Sequence, residues 1–271
     1  MADESVRRGI ASWSAAAVAL LFFVPVRTFA QVGVPGLSPS GGREEDARAR
    51  TPATPKAAAP EDLTGYWVAL VTEDWRFRMI TPAKGDYESV PLNAEGIKVA
   101  AAWDPAKDEA SGNQCKAYGA AAIMRVPGRL HITWENDATL RIDTDAGTQT
   151  RLLHFGGLPP PAGAPQWQGY SVADWQMMGG GRGARPRGGY LKVETTHMRS
   201  GYLRKNGIPY GSNTVLTEYF TRVIEPNGDS YLIVTSVVND PQYLSGPFTT
   251  STHFKKLPDA SGWHPTACEA R

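Results

Sequence analysis

The sequence has few of the residues that usually form metal or thiol sites. Its 271 residues contain two cysteines, Cys115 and Cys268, and no CxxC or HxH pattern accompanies either. Zinc sites in proteins usually draw on such closely spaced ligands. The GxSxG pattern of serine hydrolases and the GxxxxGK[ST] phosphate loop are also absent. The sequence therefore predicts no metal site and no cofactor.

The sequence also lacks an excess of charge of either sign. It has 28 Lys and Arg against 27 Asp and Glu, a formal net charge of +1. Residues 1–30 hold three of the basic and two of the acidic residues, so the remainder is formally neutral. Proteins that bind nucleic acid or anionic membranes usually carry a basic surface. The sequence therefore predicts neither partner.

The apolar run at the N-terminus is too short for a comfortable membrane span. It covers residues 15–26, whereas a transmembrane helix needs about 20 apolar residues. Arg7 and Arg8 precede it and the small residue Ala30 follows it, which gives the three parts of a secretory signal. We expect a signal peptide over residues 1–30 and a periplasmic or secreted protein without a membrane span. An uncleaved N-terminal anchor is the alternative.

In an exported chain, the two cysteines predict a disulfide. Two cysteines far apart in sequence most simply form a bridge in an oxidising compartment. The bridge would tie the C-terminal residues to the loop after the predicted helix and stabilise the fold by roughly 3–5 kcal/mol. The alternative, a catalytic thiol at Cys115, is disfavoured because no histidine lies near it in sequence.

Most of the chain after residue 65 consists of short segments that alternate with a period near two. They are rich in Val, Ile, Thr, Tyr, Phe and Trp, which is typical of β-strands. Eight strands are predicted, over residues 68–73, 130–135, 139–145, 149–155, 190–198, 214–224, 231–239 and 248–256. Because open sheet edges attract other chains, so many strands with one helix predict an all-β fold, a single antiparallel β-barrel of about eight to ten strands.

The segments between the strands complete the predicted organisation. Asn93 can cap one short helix over residues 94–103. Short turns at 136–137, 145–147 and 227–229 favour an up-and-down order of strands. The Pro/Ala/Gly-rich stretch 31–61 predicts a disordered linker before a barrel domain at 62–271. The segment 179–189 reads GGGRGARPRGG and predicts a hairpin loop, with binding of an anion or an acidic partner by its arginines as the alternative.

Several blocks of the sequence resemble a family of exported bacterial proteins. They read QCKAYGA at 114–120, IMR at 123–125, HITW at 131–134, RIDTD at 141–145, WQGYS at 167–171, VETT at 193–196 and LTEYFTR at 216–222, with DP at 240–241 ahead of Cys268. The resemblance spans most of residues 62–271. It implies a lipocalin-like β-barrel with one helix and an exported location. The family brings no agreed reaction, so the resemblance implies no catalytic residue.

The strand alternation gives candidate ligand-binding residues. Several strands carry Thr, His and Tyr on one face with few charges, a mixture expected in a ligand cavity. A polar face turned to solvent is the alternative. The tryptophans offer flat apolar area, and Arg204, in a predicted flap over 201–211, can anchor a carboxylate unless it is a solvated loop residue. The ligand-binding candidates are Trp67, Trp75, Trp134, Tyr202, Arg204, Tyr219 and His253.

Candidate catalytic residues come from histidines that could pair with carboxylates inside the barrel. A histidine beside a carboxylate in a dry cavity can act as a general acid and base. The candidates are His131, His197, Glu194, Glu218 and Asp143. Structural or exposed histidines are the more frequent outcome.

Three functions follow from this reading. The first is an exported barrel that binds a small, largely apolar or aromatic molecule in its cavity. The second is a cofactor-free isomerase, cyclase or lyase, which requires a histidine and a carboxylate within hydrogen-bonding reach in the cavity. The third is an envelope scaffold, which is favoured if Leu, Val and Phe fill the barrel.

Overall fold

The computed structural model describes residues 53–157, 159–160, 162–179 and 188–271. The predicted signal peptide, the linker up to residue 52 and most of the segment 179–189 lie outside the described residues.

Nine of the eleven strands in the described part of the chain form a closed barrel. Around the barrel the order is β1, β11, β10, β9, β6, β5, β4, β3 and β2, and β7 and β8 form a separate hairpin. This confirms the predicted single barrel and its size. The strands are β1 Gly65–Leu70, β2 Arg129–Asn136, β3 Thr139–Thr144, β4 Gln149–Phe155, β5 Tyr170–Met177, β6 Gly189–Thr196, β7 Gly201–Arg204, β8 Ile208–Tyr210, β9 Val215–Ile224, β10 Ser230–Asn239 and β11 Phe248–Leu257.

One pair of barrel strands differs from the antiparallel prediction. β4 and β5 run parallel, with Leu153 opposite Ser171, while the other barrel pairs are antiparallel. A parallel pair needs a connection of a dozen or more residues to return the chain to the same end. The Pro/Gly-rich segment 156–169 has that length, so the barrel is mixed.

The short helices lie mainly between β1 and β2. They are α1 Trp75–Arg78, α2 Ala94–Ala101, α3 Pro105–Ala110 and α4 Ala120–Ile123, with 3-10 helices at Gln114–Tyr118 and Ala146–Thr148. The predicted helix is α2, and the Asn93 side chain caps it by accepting a hydrogen bond from the Gly96 N–H at 2.9 Å. Among the described residues, no helix has the length and apolar character needed to cross a bilayer.

These helices collect at one end of the barrel, which we call the helical end. The register places the last residues of β1 beside the first residues of β2, where the helical segment leaves and re-enters the sheet. The same end carries the β7–β8 hairpin, which connects β6 to β9. The 3-10 helix Gln114–Tyr118 and α4 pack against β7 there.

Side chains fill the barrel interior. Each of the nine strands contributes to one contiguous apolar cluster, as expected for a barrel whose width just accommodates its own side chains. The middle of the barrel is therefore occupied by the chain itself, while a cavity of about 440 Å³ at the end opposite the helices is lined by Trp134, Leu140 and Trp175. The buried residues of this cluster include Trp67, Ile132, Ile142, Leu153, Ala173, Val193, Phe220, Val234 and Phe254.

One ion pair lies inside this apolar interior. The Arg151 guanidinium donates from Nη2 to Glu218 Oε2 at 2.5 Å and from Nη1 to Glu218 Oε1 at 3.0 Å. Both side chains are completely buried. Thr195 Oγ1 accepts a longer bond from Arg151 at 3.4 Å and lies 2.7 Å from Ser171 Oγ. The two opposite charges compensate each other in the apolar interior, where both side chains are shielded from solvent.

Both ends of the described chain are attached to the barrel. The Trp175 indole donates to the Pro55 carbonyl at 2.9 Å, and the Lys56 N–H donates to the Asp137 carbonyl at 3.1 Å. The barrel's contacts thus extend into the segment predicted as linker. Cys115 and Cys268 form the predicted disulfide, which ties the C-terminal tail to the helical end.

Candidate functional site

A cavity of about 420 Å³ opens at the helical end, outside the barrel interior. Its walls come from residues 77–81 after the start of α1, from the end of α4 and the turn after it, from residues 203–205 of β7 and the adjoining turn, and from the C-terminal tail. Arg78, Arg125 and Arg204 all line it. We call this cavity the arginine cleft.

The local sequence explains why two of the three arginines are buried there. Arg78 lies between Phe77 and Met79, and Arg125 lies between Met124 and Val126. The apolar neighbours hold the backbone of each arginine against the protein, so the aliphatic part of its side chain is buried with the backbone. The guanidinium group then needs polar partners. The Arg78 side chain is only 1 % exposed and that of Arg125 only 7 %.

Two of the three guanidinium groups have carboxylate partners. Arg78 forms an ion pair with Glu73 and also donates from Nε to the Arg125 carbonyl at 2.9 Å. Arg125 Nη2 lies 3.1 Å from Asp74 Oδ2. The Arg125–Asp74 pair connects the strand-to-helix turn before α1 with the turn after α4.

Arg204 has only neutral partners. Its Nη1 donates to the Glu88 carbonyl at 2.8 Å and its Nη2 donates to Ser89 Oγ at 2.9 Å. Among the described residues, no carboxylate forms a hydrogen bond or ion pair with Arg204. Its guanidinium also lies over the Phe77 ring, 4.0 Å from the centroid. Arg204 is therefore held in place without being neutralised.

Burial shifts the titration of all three groups in the same direction. Loss of water is the largest cause that lowers the pKa of Arg78 and of Arg125, and their carboxylate partners oppose it. Burial, followed by repulsion from Arg125, lowers the pKa of Arg204 to about 10 despite the attraction of Asp74 and Asp86. Arginine side chains stay charged in proteins at neutral pH, so burial makes it costly to hold three of these charges in the cleft.

Each arginine retains a buried nitrogen that has no partner among the described residues. These are Arg78 Nη2, Arg125 Nη1 and Arg204 Nε. Buried donors in proteins are normally satisfied, because a donor without an acceptor loses the hydrogen bonds that water would provide. Three buried cations with two carboxylate partners leave spare donors and one excess positive charge, because the other two charged lining residues, Lys205 and Glu269, carry opposite charges. A bound anion would provide an acceptor for these donors and a compensating negative charge.

The structure places the predicted ligand-binding residues in several separate regions. Arg204 lines the cleft. Tyr202 lies two residues before Arg204 in β7, and the Tyr202 hydroxyl donates a hydrogen bond to Asp108 Oδ2 at 2.8 Å. Burial and the Asp108 carboxylate raise the pKa of Tyr202. Trp75 is 62 % exposed on α1, whereas Trp67 is fully buried in the core.

The other predicted ligand-binding residues do not line the cleft, although His253 Nδ1 lies 3.4 Å from Oε2 of Glu73, the ion-pair partner of Arg78. Trp134, at the far end of β2, packs against Phe155 with ring centroids 5.6 Å apart. Tyr219 and His253 alternate with the buried residues of β9 and β11 and so lie on the outer face. On these two strands the face that carries Thr, His and Tyr is therefore the outside of the barrel, which agrees with the alternative of a polar face turned to solvent.

The predicted catalytic residues form no pair in the barrel interior. His131 stacks on Tyr66 at 4.0 Å on the outer wall, and Asp143, its neighbour on β3, bonds to Arg141 at 2.8 Å. His197 and Glu194 are exposed. Glu218 is the one candidate that points inward, and its partner is Arg151.

The described strands place His131, His154 and His253 at positions that alternate with the buried residues. The residues that the structure covers also contain no group of three or more His, Cys, Asp or Glu arranged to hold a metal ion.

Sequence reasoning missed Arg78 and Arg125. A signal was present, because each arginine has large apolar residues on both sides, in FRMI and IMRV. A charge in such a setting is either buried with a partner or functional. Their convergence with Arg204 depends on contacts between segments about 50 to 130 residues apart, which the strand pattern does not reveal.

Comparison with known proteins returned no matching family model, no matching curated protein and no matching solved structure. The resemblance to an exported family therefore remains an expectation, while the β-barrel that it implied is present.

Proposed function

We propose that this protein binds a small molecule with an apolar body and one anionic group in the arginine cleft. The observation that carries the proposal is the buried Arg204 guanidinium, which lines the cleft and has no carboxylate partner among the described residues. The sequence predicted a largely apolar ligand inside the barrel. Because side chains fill that interior, the proposal places the ligand at the helical end.

The energetic argument rests on the cost of an uncompensated buried charge. Removing one partner from a buried ion pair typically destabilises a protein by about 3–5 kcal/mol, because the remaining charge stays without compensation. Arg204 is a milder case of a buried charge without compensation, because its two hydrogen-bond acceptors are neutral. A carboxylate that accepts hydrogen bonds from guanidinium nitrogens forms bonds worth about 1.5–3 kcal/mol each. The cleft therefore favours an anion over its uncharged analogue.

The rest of the cleft favours an apolar body. Phe77, Ile80, Ala122, Val126 and Leu203 are among its lining residues. Its volume lies at the lower end of the range of about 300–1,000 Å³ that is usual for small-molecule sites. With one excess positive charge, a monoanion such as an aliphatic carboxylate fits the site better than a highly charged ligand.

The test compares decanoate with decanol by isothermal titration calorimetry. We expect decanoate to bind wild type and decanol to bind at least tenfold more weakly. Arg204→Gln should remove this preference, since it deletes the excess charge. Arg199→Gln is the matched control, because Arg199 is an exposed arginine that lies over Trp167 at 4.2 Å and does not line the cleft. Equal affinity for the two ligands, or equal loss in both variants, would contradict the proposal.

A second candidate function, an envelope scaffold, is supported by the filled barrel interior. It predicts that neither decanoate nor decanol binds to the cleft. The same titration therefore distinguishes the two candidates.

We also propose that the protein is exported to the periplasm or the medium. The disulfide and the signal-like residues 1–30 support this location. Cell fractionation of the native protein, with thiol titration of the exported form, tests it. Recovery in the cytoplasm with two free thiols would contradict it.

A further inference from the structure

The C-terminal tail, residues 258–271, forms one wall of the arginine cleft. It follows β11 and contains no helix or strand. Thr266, Ala267 and Glu269 line the cleft. Cys268 lies between the second and third of these residues, so the disulfide holds the wall at the cleft itself.

The other half of the disulfide belongs to another wall. Cys115 lies in the 3-10 helix Gln114–Tyr118, whose Ala117 and Tyr118 also line the cleft. The covalent link therefore joins two lining segments that are far apart in sequence. Breaking it would free the tail wall, while the 3-10 helix would stay packed against β7, with Ala117 and Tyr118 buried in the core.

Trp263 packs edge-on against Tyr66 with ring centroids 5.8 Å apart, but few contacts other than the disulfide hold the residues after Trp263. The Thr266 N–H donates to the Asp145 carbonyl at 2.8 Å, and Thr148 Oγ1 donates to the Thr266 carbonyl at 2.8 Å. Beyond Cys268, Lys205 Nζ lies 3.5 Å from the Arg271 carbonyl oxygen, and Ala270 is buried. Segments with so few contacts open locally while the rest of the fold stays intact. The nine-stranded barrel does not depend on this tail for closure.

From this arrangement we infer that the Cys115–Cys268 disulfide is a redox control on ligand binding at the arginine cleft. The inference rests on the proposed function, since it concerns the affinity of the same site. The oxidised chain holds the cleft closed around its ligand, and the reduced chain releases the tail and binds the ligand weakly.

The reductant is a dithiol. One of its thiolates attacks a cysteine sulfur, the Cys115–Cys268 bond breaks, and a mixed disulfide forms as the other cysteine leaves as a thiolate and takes up a proton. The second thiol of the reductant then displaces the remaining cysteine, which is also protonated. The protein gains two electrons and two protons, and the dithiol becomes a disulfide. Both cysteines are partly exposed, and Gln149 Nε2 lies 3.5 Å from Cys268 Sγ as a donor to the departing thiolate.

The expected size of the effect follows from the population of the closed tail. When only a fraction of molecules is competent to bind, the apparent dissociation constant rises by the reciprocal of that fraction. A reduced tail that is closed about one tenth of the time weakens binding about tenfold.

The experiment measures decanoate binding to the full chain by calorimetry, before and after treatment with dithiothreitol. We expect about tenfold weaker binding after reduction, with the near-ultraviolet circular dichroism of the barrel retained. The variant Cys115→Ser/Cys268→Ser should bind as weakly as the reduced wild type. Dithiothreitol should not change the affinity of this variant, which shows that the reagent acts through the disulfide.

The outcomes separate this inference from the proposed function. Unchanged affinity on reduction overturns the redox control and leaves the proposed function standing. Loss of the folded signal on reduction also overturns it, because the disulfide would then maintain the fold and not the cleft. If the oxidised chain does not bind decanoate at all, the proposed function fails and this inference fails with it.

Discussion

Glu218→Gln removes the carboxylate that compensates Arg151 in the middle of the barrel. Both side chains are fully buried and joined by two hydrogen bonds, of 2.5 and 3.0 Å. Breaking such a pair leaves a charge without compensation and typically costs about 3–5 kcal/mol. The glutamine oxygen can still accept one bond from the guanidinium, so we expect a loss near 3 kcal/mol. That is a large share of the roughly 5–15 kcal/mol that stabilises a typical domain.

The assay is urea unfolding followed by tryptophan fluorescence, from which the free energy of unfolding is extrapolated. The double variant Arg151→Met/Glu218→Leu is the informative companion, because replacing both charges with apolar groups is often neutral or stabilising. Asp143→Asn is the matched control, since its pair with Arg141 lies on the partly exposed outer wall and is worth about 1 kcal/mol or less. A Glu218→Gln loss no greater than the Asp143→Asn loss would refute the assignment of this pair to a dry interior.

Three further predictions use the same unfolding measurement. His197→Gly should stabilise the chain by about 1 kcal/mol, because His197 has a left-handed φ of 54° that glycine adopts without strain; a loss of stability would show that the ring contributes more than the backbone costs. Trp67→Ala should cost about 3–5 kcal/mol and Trp75→Ala less than about 0.5 kcal/mol, because the first is fully buried and the second is 62 % exposed; similar losses would contradict this placement. Burial raises the pKa of Glu61 from 4.5 to about 7, so the folded chain holds this proton more tightly than the unfolded chain and the free energy of unfolding falls as pH rises from about 4.5 to 7. Because Glu61 is only half-buried, we expect Glu61→Gln to remove about 1 kcal/mol of that decline, and an unchanged pH profile would count against the shift.

The barrel could be predicted because most of its strands carry a strong local signal. β3, β4, β9, β10 and β11 alternate buried and less buried residues along most of their lengths. Their observed bounds lie within about one residue of those predicted. The Asn93 cap of α2 was also predicted from a local sequence signal. In these elements a residue and its near neighbours in sequence decide the backbone conformation.

The sequence predicted less where the backbone depends on distant contacts. β1 ends at Leu70, three residues before its predicted end, because the chain turns through Asp74, whose φ is 49°, into α1. β5 was not predicted, and its first residues are bonded to β4 in the parallel pair. No turn residue marks a parallel pairing in the sequence, so this pairing could be identified only in the folded structure.

The candidate site was predicted at one residue only. Arg204 was recognised as a possible carboxylate anchor, but its burial depends on Phe77 and Ser89, more than a hundred residues earlier. The face of each strand that turns inward was also ambiguous. Glu218 shares its face with Leu216 and Phe220, and that apolar face is the buried one. Alternation groups side chains by face but does not say which face is inside.

The most direct test of the account is to locate a bound anion in a crystal of the protein soaked with ω-bromodecanoate. The anomalous signal of bromine marks the far end of the chain, and the density of the carboxylate marks the other end. We predict the carboxylate within hydrogen-bonding distance of the Arg204 guanidinium, with the bromine among the apolar residues of the arginine cleft. A carboxylate bound on the outer wall near His131, or a chain threaded into the barrel interior, would contradict the account.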